Sequence, residues 1–156
     1  MKIFTRVFFI LPLFVSATVF ALSDLEKGDQ AFQNQQYGKA EKYYRVALRA
    51  DNNNSSILLR IAQCETNLGK VDNAFETVNK VLELNATYPD GYVLRGQLFS
   101  MKGDWIRARI DYQAAVVQDP NHRGARAGLA QSLKMLGDED GADAQYDALR
   151  DIEENQ

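Results

Sequence analysis

The chain has 156 residues, of which 46% are hydrophobic, 25% charged and 10% aromatic. This composition is typical of a globular protein and excludes the disordered, collagen-like and multi-pass membrane classes. The 18 basic and 21 acidic residues give a net charge of −3, which offers no electrostatic support for binding nucleic acid. The single cysteine, Cys64, excludes an internal disulfide, and the single histidine, His122, leaves no second imidazole for a histidine metal site.

The first 21 residues have the layout of a secretory signal peptide. Lys2 and Arg6 precede an uncharged stretch from residue 7 to residue 22, which is shorter than the roughly 20 residues needed to span a bilayer. Val19 and Ala21 place small residues at positions −3 and −1 of a cleavage site. We therefore expect residues 1–21 to be a signal peptide and residues 22–156 to be the mature domain. The alternatives are a retained membrane anchor and a buried N-terminal helix of a cytosolic protein.

A regular repeat, with a period of about 34 residues, runs through the rest of the chain. It divides this part into four blocks, residues 21–54, 55–88, 89–122 and 123–156. Apolar residues recur three and four positions apart in each block, with a break near the middle, so each block predicts two amphipathic helices. In the third block we expect Asp104 to cap the second helix and Asp119 to end it. The spacing is carried by Gly69, Gly103 and Gly137 and by Gln63, Gln97 and Gln131.

Small residues recur at the points where the predicted helices must approach closely. The eighth and twentieth positions of every block are glycine or alanine, namely Gly28, Ala62, Gly96, Ala130, Ala40, Ala74, Ala108 and Ala142. A larger residue, such as Tyr44 or Tyr112, follows at position 24. A single hairpin of this size cannot bury its own apolar faces, so the blocks must stack on one another. The sequence therefore predicts an all-α solenoid of four helix-turn-helix repeats.

This pattern resembles the tetratricopeptide repeat (TPR). The match is best in the third block, at Tyr92, Gly96, Phe99, Gly103, Trp105, Ala108, Tyr112, Ala115 and Pro120. The pattern departs from the family at Gln35, which replaces the turn glycine, at Glu65, and at Glu139, which replaces an aromatic residue. The resemblance implies a right-handed superhelix in which the first helix of each repeat lines a concave groove.

The same resemblance implies which side chains face that groove. They lie at equivalent positions of the first helices and form a mixed, protein-binding surface: Glu26, Asp29, Phe32, Arg60, Gln63, Asn67, Val93, Leu94, Gln97, Met101, Gln131, Lys134 and Met135. The three glutamines at position nine would form a ladder of amides, each both donor and acceptor, along an extended peptide. The alternative is that they are ordinary exposed helix formers that bond to their neighbours.

Three features of the sequence argue against catalysis. Cys64 lies in a helical run without a nearby histidine or lysine in sequence, and we interpret it as a small buried hydrophobic residue. His122 falls in a connection between helices, where a surface role is expected. No metalloprotease, hydrolase, phosphate-loop or EF-hand motif occurs in the sequence. We expect a non-enzymatic protein without cofactor or metal.

These observations favour a binding function. We expect a TPR adaptor or assembly factor in the bacterial periplasm that holds a protein or peptide in the groove, in a process such as pilus, secretion or outer-membrane assembly. The alternative is a membrane-tethered structural subunit with a retained N-terminal helix, and a third reading is self-association through the last repeat. The subfamily that clamps a C-terminal carboxylate with lysine and asparagine is not matched, because position five holds Leu25, Leu59, Val93 and Ala127.

Overall fold

The computed structural model describes residues 23–154, in which all regular structure is helical. The predicted signal peptide lies outside these residues. The helices pair into four hairpins, one for each predicted block, and confirm the all-α solenoid: α1 (Asp24–Gln33), α2 (Tyr37–Leu48), α3 (Ser55–Asn67), α4 (Val71–Leu84), α5 (Pro89–Met101), α6 (Trp105–Gln118), α7 (Arg123–Met135) and α8 (Glu139–Glu154). Within residues 23–154, none of the helices combines the length and hydropathy needed to cross a membrane.

Polar side chains begin five of the helices, including Asp138, which accepts from the Gly141 amide at 2.9 Å at the start of α8. Ser23 and Glu26 form a reciprocal capping box at the start of α1, and the side chain of Asn54 accepts a hydrogen bond from the Ile57 amide at the start of α3. Asp104 caps α6, as the sequence predicts, by accepting from the Arg107 amide at 3.1 Å. His122 caps α7, since its Nδ1 accepts from the Ala125 amide at 3.1 Å. Each cap satisfies a backbone donor that the first turn leaves free.

The turn between the two helices of a hairpin requires a left-handed residue. Gly69, Gly103 and Gly137 have φ of 72°, 73° and 84°, respectively. In the first hairpin Gln35 adopts the equivalent conformation with φ of 58°, so it carries the steric cost of a side chain where glycine carries none. The departure at Gln35 therefore changes the residue and not the turn.

Each helix packs against the next one along the chain, and the first helices α3, α5 and α7 also contact one another. Second helices make no comparable contact with each other in the described part of the chain. The first helices therefore lie on the inner side of the solenoid and the second helices on the outer side. All eight predicted small residues are buried at these crossings, which allows close approach of the helix axes.

The ring of Tyr112 fills the space that two glycines leave. Tyr112 on α6 is 4% exposed and lies between α5 and α7. A Cβ added to Gly128 would be 2.3 Å from Cε1 of this ring, and one added to Gly96 would be 3.0 Å from it. Tyr44 lies against Gly28 in the same way, since a Cβ added to Gly28 would be 2.5 Å from Cε1 of the Tyr44 ring. The Tyr44 and Tyr112 rings thus fit against glycines of the first helices.

A group of four charged residues joins the first two hairpins. Arg45 donates from Nε to Glu41 at 2.9 Å and from Nη2 to Glu65 at 2.7 Å, while Lys70 Nζ donates to Glu41 at 2.8 Å. Glu65 is 1% exposed, and its Oε2 has no hydrogen-bond partner among residues 23–154. Burial raises the pKa of Glu65. Burial also opposes the ionisation of Glu41, but hydrogen bonds from Lys70 and Arg45 outweigh it and lower the pKa of Glu41.

We expect Gly128→Ala to destabilise the protein by about 1–3 kcal/mol, because its Cβ would overlap the buried Tyr112 ring. Gly38→Ala is the control, since a Cβ there has no neighbour within 4 Å, and a helical alanine should stabilise by about 0.5–1 kcal/mol. Urea denaturation of both variants measures the difference. A Gly128→Ala variant as stable as the parent would show that Tyr112 does not depend on this glycine.

We expect Glu65→Gln and Glu41→Gln to respond to pH in opposite directions. The raised pKa of Glu65 makes its ionisation costly in the folded state, so its contribution to stability is greatest at low pH and declines as pH rises through that pKa. The lowered pKa of Glu41 makes its contribution fully present above the pKa of the unfolded chain, and this contribution is lost as pH falls through the folded pKa.

Urea denaturation at pH 4 and pH 7 tests this pair. Relative to the parent, Glu65→Gln should gain stability as pH rises, whereas Glu41→Gln should lose it. The same direction of change in both variants would contradict the arrangement of the charged group.

Candidate functional site

The candidate site is the first-helix face, the surface formed by α1, α3, α5 and α7 on the inner side of the solenoid. Equivalent residues on these helices are one repeat apart in sequence, so one side chain per repeat recurs along the face. The glutamines of the predicted ladder lie on α3, α5 and α7. Gln63 is half-buried, and Gln97 and Gln131 are exposed.

The charged residues in the first half of the face bond within the protein. Asp29 accepts hydrogen bonds from Arg60 and, at 2.7 Å, from the hydroxyl of Tyr44. The Arg60 guanidinium also lies 5.8 Å from the centre of the Tyr44 ring. Glu26 accepts from the amide and hydroxyl of Ser23 at 2.7 and 2.8 Å, and these bonds lower its pKa. Asp29 therefore joins α1 to α2 and α3, whereas Glu26 caps its own helix.

Two further predicted residues of this half also have internal contacts. Phe32 is half-buried and meets the ring of Tyr37 edge-on, with 5.3 Å between the ring centres. Asn67 is exposed, but its Nδ2 donates to the carbonyl of Gln63 at 2.8 Å. Phe32 therefore remains partly accessible, and Asn67 is exposed with its amide nitrogen already bonded.

The second half of the face has a different chemistry. Met101 and Met135 are 57% and 55% exposed, and Gln97, Gln131 and Lys134 are also exposed. The side chains of the three ladder glutamines make no hydrogen bond within residues 23–154. Within these residues, the three amides therefore do not bond to their neighbours. This half offers free amide donors and acceptors beside flexible thioethers.

Val93 and Leu94 do not lie where the family positions imply. They are 8% and 4% exposed and belong to two core clusters, one on each side of α5. Positions five and six border the core, and in the third repeat both carry aliphatic side chains that gain more from burial than from a place on the surface. Val93 and Leu94 are thus corrected from surface contacts to core residues beneath the face.

The contacts of two tyrosine hydroxyls with the first helices were not predicted from the sequence. Tyr44 and Tyr112 come from second helices, yet the Tyr44 hydroxyl reaches Asp29 on α1 and the Tyr112 hydroxyl lies 3.5 Å from Ser100 Oγ on α5. Burial, aided by the bond to Asp29, raises the pKa of Tyr44 to about 12. The available signal was an aromatic residue at position 24 combined with glycine at position eight of the same repeat.

The other candidate residues have structural roles. Cys64 is fully buried, as predicted, and burial raises the pKa of its thiol to about 12, so it is not a reactive thiolate at neutral pH. His122 donates from Nε2 to Asp90 at 3.0 Å while Nδ1 caps α7, which joins the third and fourth repeats. No group of three or more His, Cys, Asp or Glu side chains within residues 23–154 is arranged to hold a metal ion.

Comparison with known proteins identifies the repeat. A family model described as tetratricopeptide repeat matches residues 31–98. The Hsp70-Hsp90 organizing protein of Triticum aestivum is 27% identical over 126 residues, which cover 81% of this chain and 22% of that protein. The chain therefore spans about a fifth of the length of this relative.

Solved structures agree with this result. A thermophilic TPR protein of Thermus thermophilus superposes with a TM-score of 0.75 at 20% identity, covering 84% of this chain and 73% of that chain. The first TPR of Spaghetti (RPAP3), bound to an HSP90 peptide, superposes with a TM-score of 0.68 at 25% identity and covers 73% and 90%. Together with the four stacked hairpins and the regular repeat period, the family model and these structures support a tetratricopeptide-repeat protein.

Proposed function

We propose that the chain is a protein-binding adaptor that holds an extended peptide segment of its partner along the first-helix face. The observation that carries this proposal is the row of unbonded amides at Gln63, Gln97 and Gln131. An extended peptide presents alternating donors and acceptors, and each amide can supply either. The solved TPR structure with an HSP90 peptide supports a peptide as the ligand class.

The exposed side chains of the face indicate which peptide side chains it would bind. Met101 and Met135 are exposed beside Gln97 and Gln131, which favours a segment with apolar side chains next to the hydrogen-bonded backbone. Arg60 is paired with Asp29, and position five offers no lysine. We therefore do not extend the proposal to a clamp for a C-terminal carboxylate.

We also propose that the adaptor works in the bacterial periplasm, in an assembly process of the cell envelope. The support is the basic start, uncharged stretch and small residues of positions 1–21. The runner-up is a tethered subunit that keeps this segment as an anchor. We propose no catalytic role, because the sequence contains none of the catalytic motifs above and its single thiol is buried.

A peptide-display selection tests the groove. Random twelve-residue peptides are selected on the parent protein, and the best are measured against Gln63→Ala/Gln97→Ala/Gln131→Ala. Three lost hydrogen bonds of about 0.5–1.5 kcal/mol each should weaken binding at least about tenfold. The matched control, Asn73→Ala/Gln118→Ala, removes exposed amides from the second helices α4 and α6 and should bind like the parent. Equal binding by the triple variant would move the site away from the first-helix face.

Mass spectrometry of the chain recovered by osmotic shock tests the location. We expect a product that begins at Leu22, because cleavage after Ala21 removes the signal peptide. Ala21→Arg should block processing while leaving the helical domain unchanged. An intact chain held in the membrane fraction would instead favour the tethered subunit.

A further inference from the structure

The junctions between repeats can be compared at equivalent positions on the outer side of the solenoid. We define an outer slot as positions 21 and 25 of one repeat together with position 11 of the next. The three slots consist of Glu41, Arg45 and Glu65; Phe75, Asn79 and Phe99; and Arg109, Gln113 and Leu133. Each slot therefore joins a second helix to the following first helix.

In the first two outer slots, the side chains contact one another. In the first, Arg45 bridges Glu41 and Glu65. In the second, the rings of Phe75 and Phe99 are 4.9 Å apart. Lys102 and Arg107 lie 4.8 and 4.6 Å from the centres of these rings, and both cations are paired with aspartates. A depression of about 340 Å³ remains over the second slot, but its charged walls already have partners.

The third outer slot has no such internal bonding. Arg109 replaces the first ring of the second slot, and Leu133 replaces the second ring. Within residues 23–154, the Arg109 and Gln113 side chains make no hydrogen bond, ion pair or ring contact. A cavity of about 290 Å³ remains between α6 and α7, lined by Arg109, Ile110, Gln113, Leu129 and Leu133.

The surface around this cavity is more apolar than the equivalent surface around the second slot. Ile106 and Ile110 are 59% and 56% exposed, where the second repeat has Asp72 and Glu76. Leu136, which is also exposed, takes the place of Lys102. The cost of exposing these side chains is recovered when a partner covers them.

We propose that the third outer slot binds an aromatic side chain of a partner protein that carries a carboxylate beside it. The ring enters the cavity between α6 and α7, against Leu129 and Leu133. The carboxylate pairs with the free guanidinium of Arg109. The cavity of about 290 Å³ lies at the lower end of the roughly 300–1,000 Å³ range of ligand sites, a size that suits one aromatic side chain.

This site is separate from the proposed peptide groove. Leu129 and Leu133 differ by two positions from Gln131 and Met135 on α7, which places the two pairs about 200° apart around the helix. The outer slot and the first-helix face can therefore be tested, and can fail, independently.

The minimal probe of this chemistry is 3-phenylpropionate, with 3-phenylpropylamine and propionate as comparisons. The protein is expressed from its full sequence and purified as the cells process it. Its amide chemical shifts are then followed by ¹H–¹⁵N spectroscopy. Phenylpropionate should bind with a dissociation constant of about 1 mM and shift the amides of Ile110, Gln113, Leu129 and Leu133. The amine lacks the carboxylate and propionate lacks the ring, so both should bind at least about tenfold more weakly.

Arg109→Glu should weaken phenylpropionate binding at least about tenfold. Lys80→Glu is the matched control, because it reverses an exposed cation of α4 away from the slot, and it should bind like the parent. Equal binding of acid and amine, or no saturable shift at these amides up to about 20 mM probe, would overturn the proposal. Slot amides that shift with protein concentration alone would also overturn it, because they would identify a second copy as the occupant.

Discussion

The structure depends on a size match between neighbouring hairpins. No hairpin buries both faces alone, so each second helix must fit its large side chains against small residues on the first helices of its own and the next repeat. Tyr112 makes this contact with Gly96 and Gly128 together, so one ring fixes the distances among three helices. The inner row of first helices, and hence the candidate binding face, follows from that fit.

The arrangement of the hairpins could be predicted because the same information recurs in every repeat. Gly69, Gly103 and Gly137 mark the turns, and the small residues mark the crossings, so an error at one repeat is corrected by the others. The Asp104 cap was also predicted, since an aspartate follows a turn glycine and precedes an apolar run. Local signals of this kind need no knowledge of tertiary contacts.

Contacts between repeats were less predictable, because they depend on which side chains meet. Glu65 departs from the family pattern, yet its carboxylate accepts a hydrogen bond from Arg45 of the preceding repeat. His122 reads as a surface residue but caps one repeat while bonding to Asp90 of another. Val93 and Leu94 were misplaced because a family position specifies a direction on the helix and not the depth of a particular side chain.

The unequal outer slots have a consequence for cooperativity. In a solenoid, the free energy that couples neighbouring repeats resides in their shared junction. Ion pairs strengthen the first junction and ring contacts the second, whereas the third slot contributes neither. The coupling of the fourth hairpin therefore depends on the Tyr112 ring against Gly128 and on the bond from His122 to Asp90, without support from the outer slot. A ligand that fills the third slot would add to this coupling and slow amide exchange in the fourth hairpin.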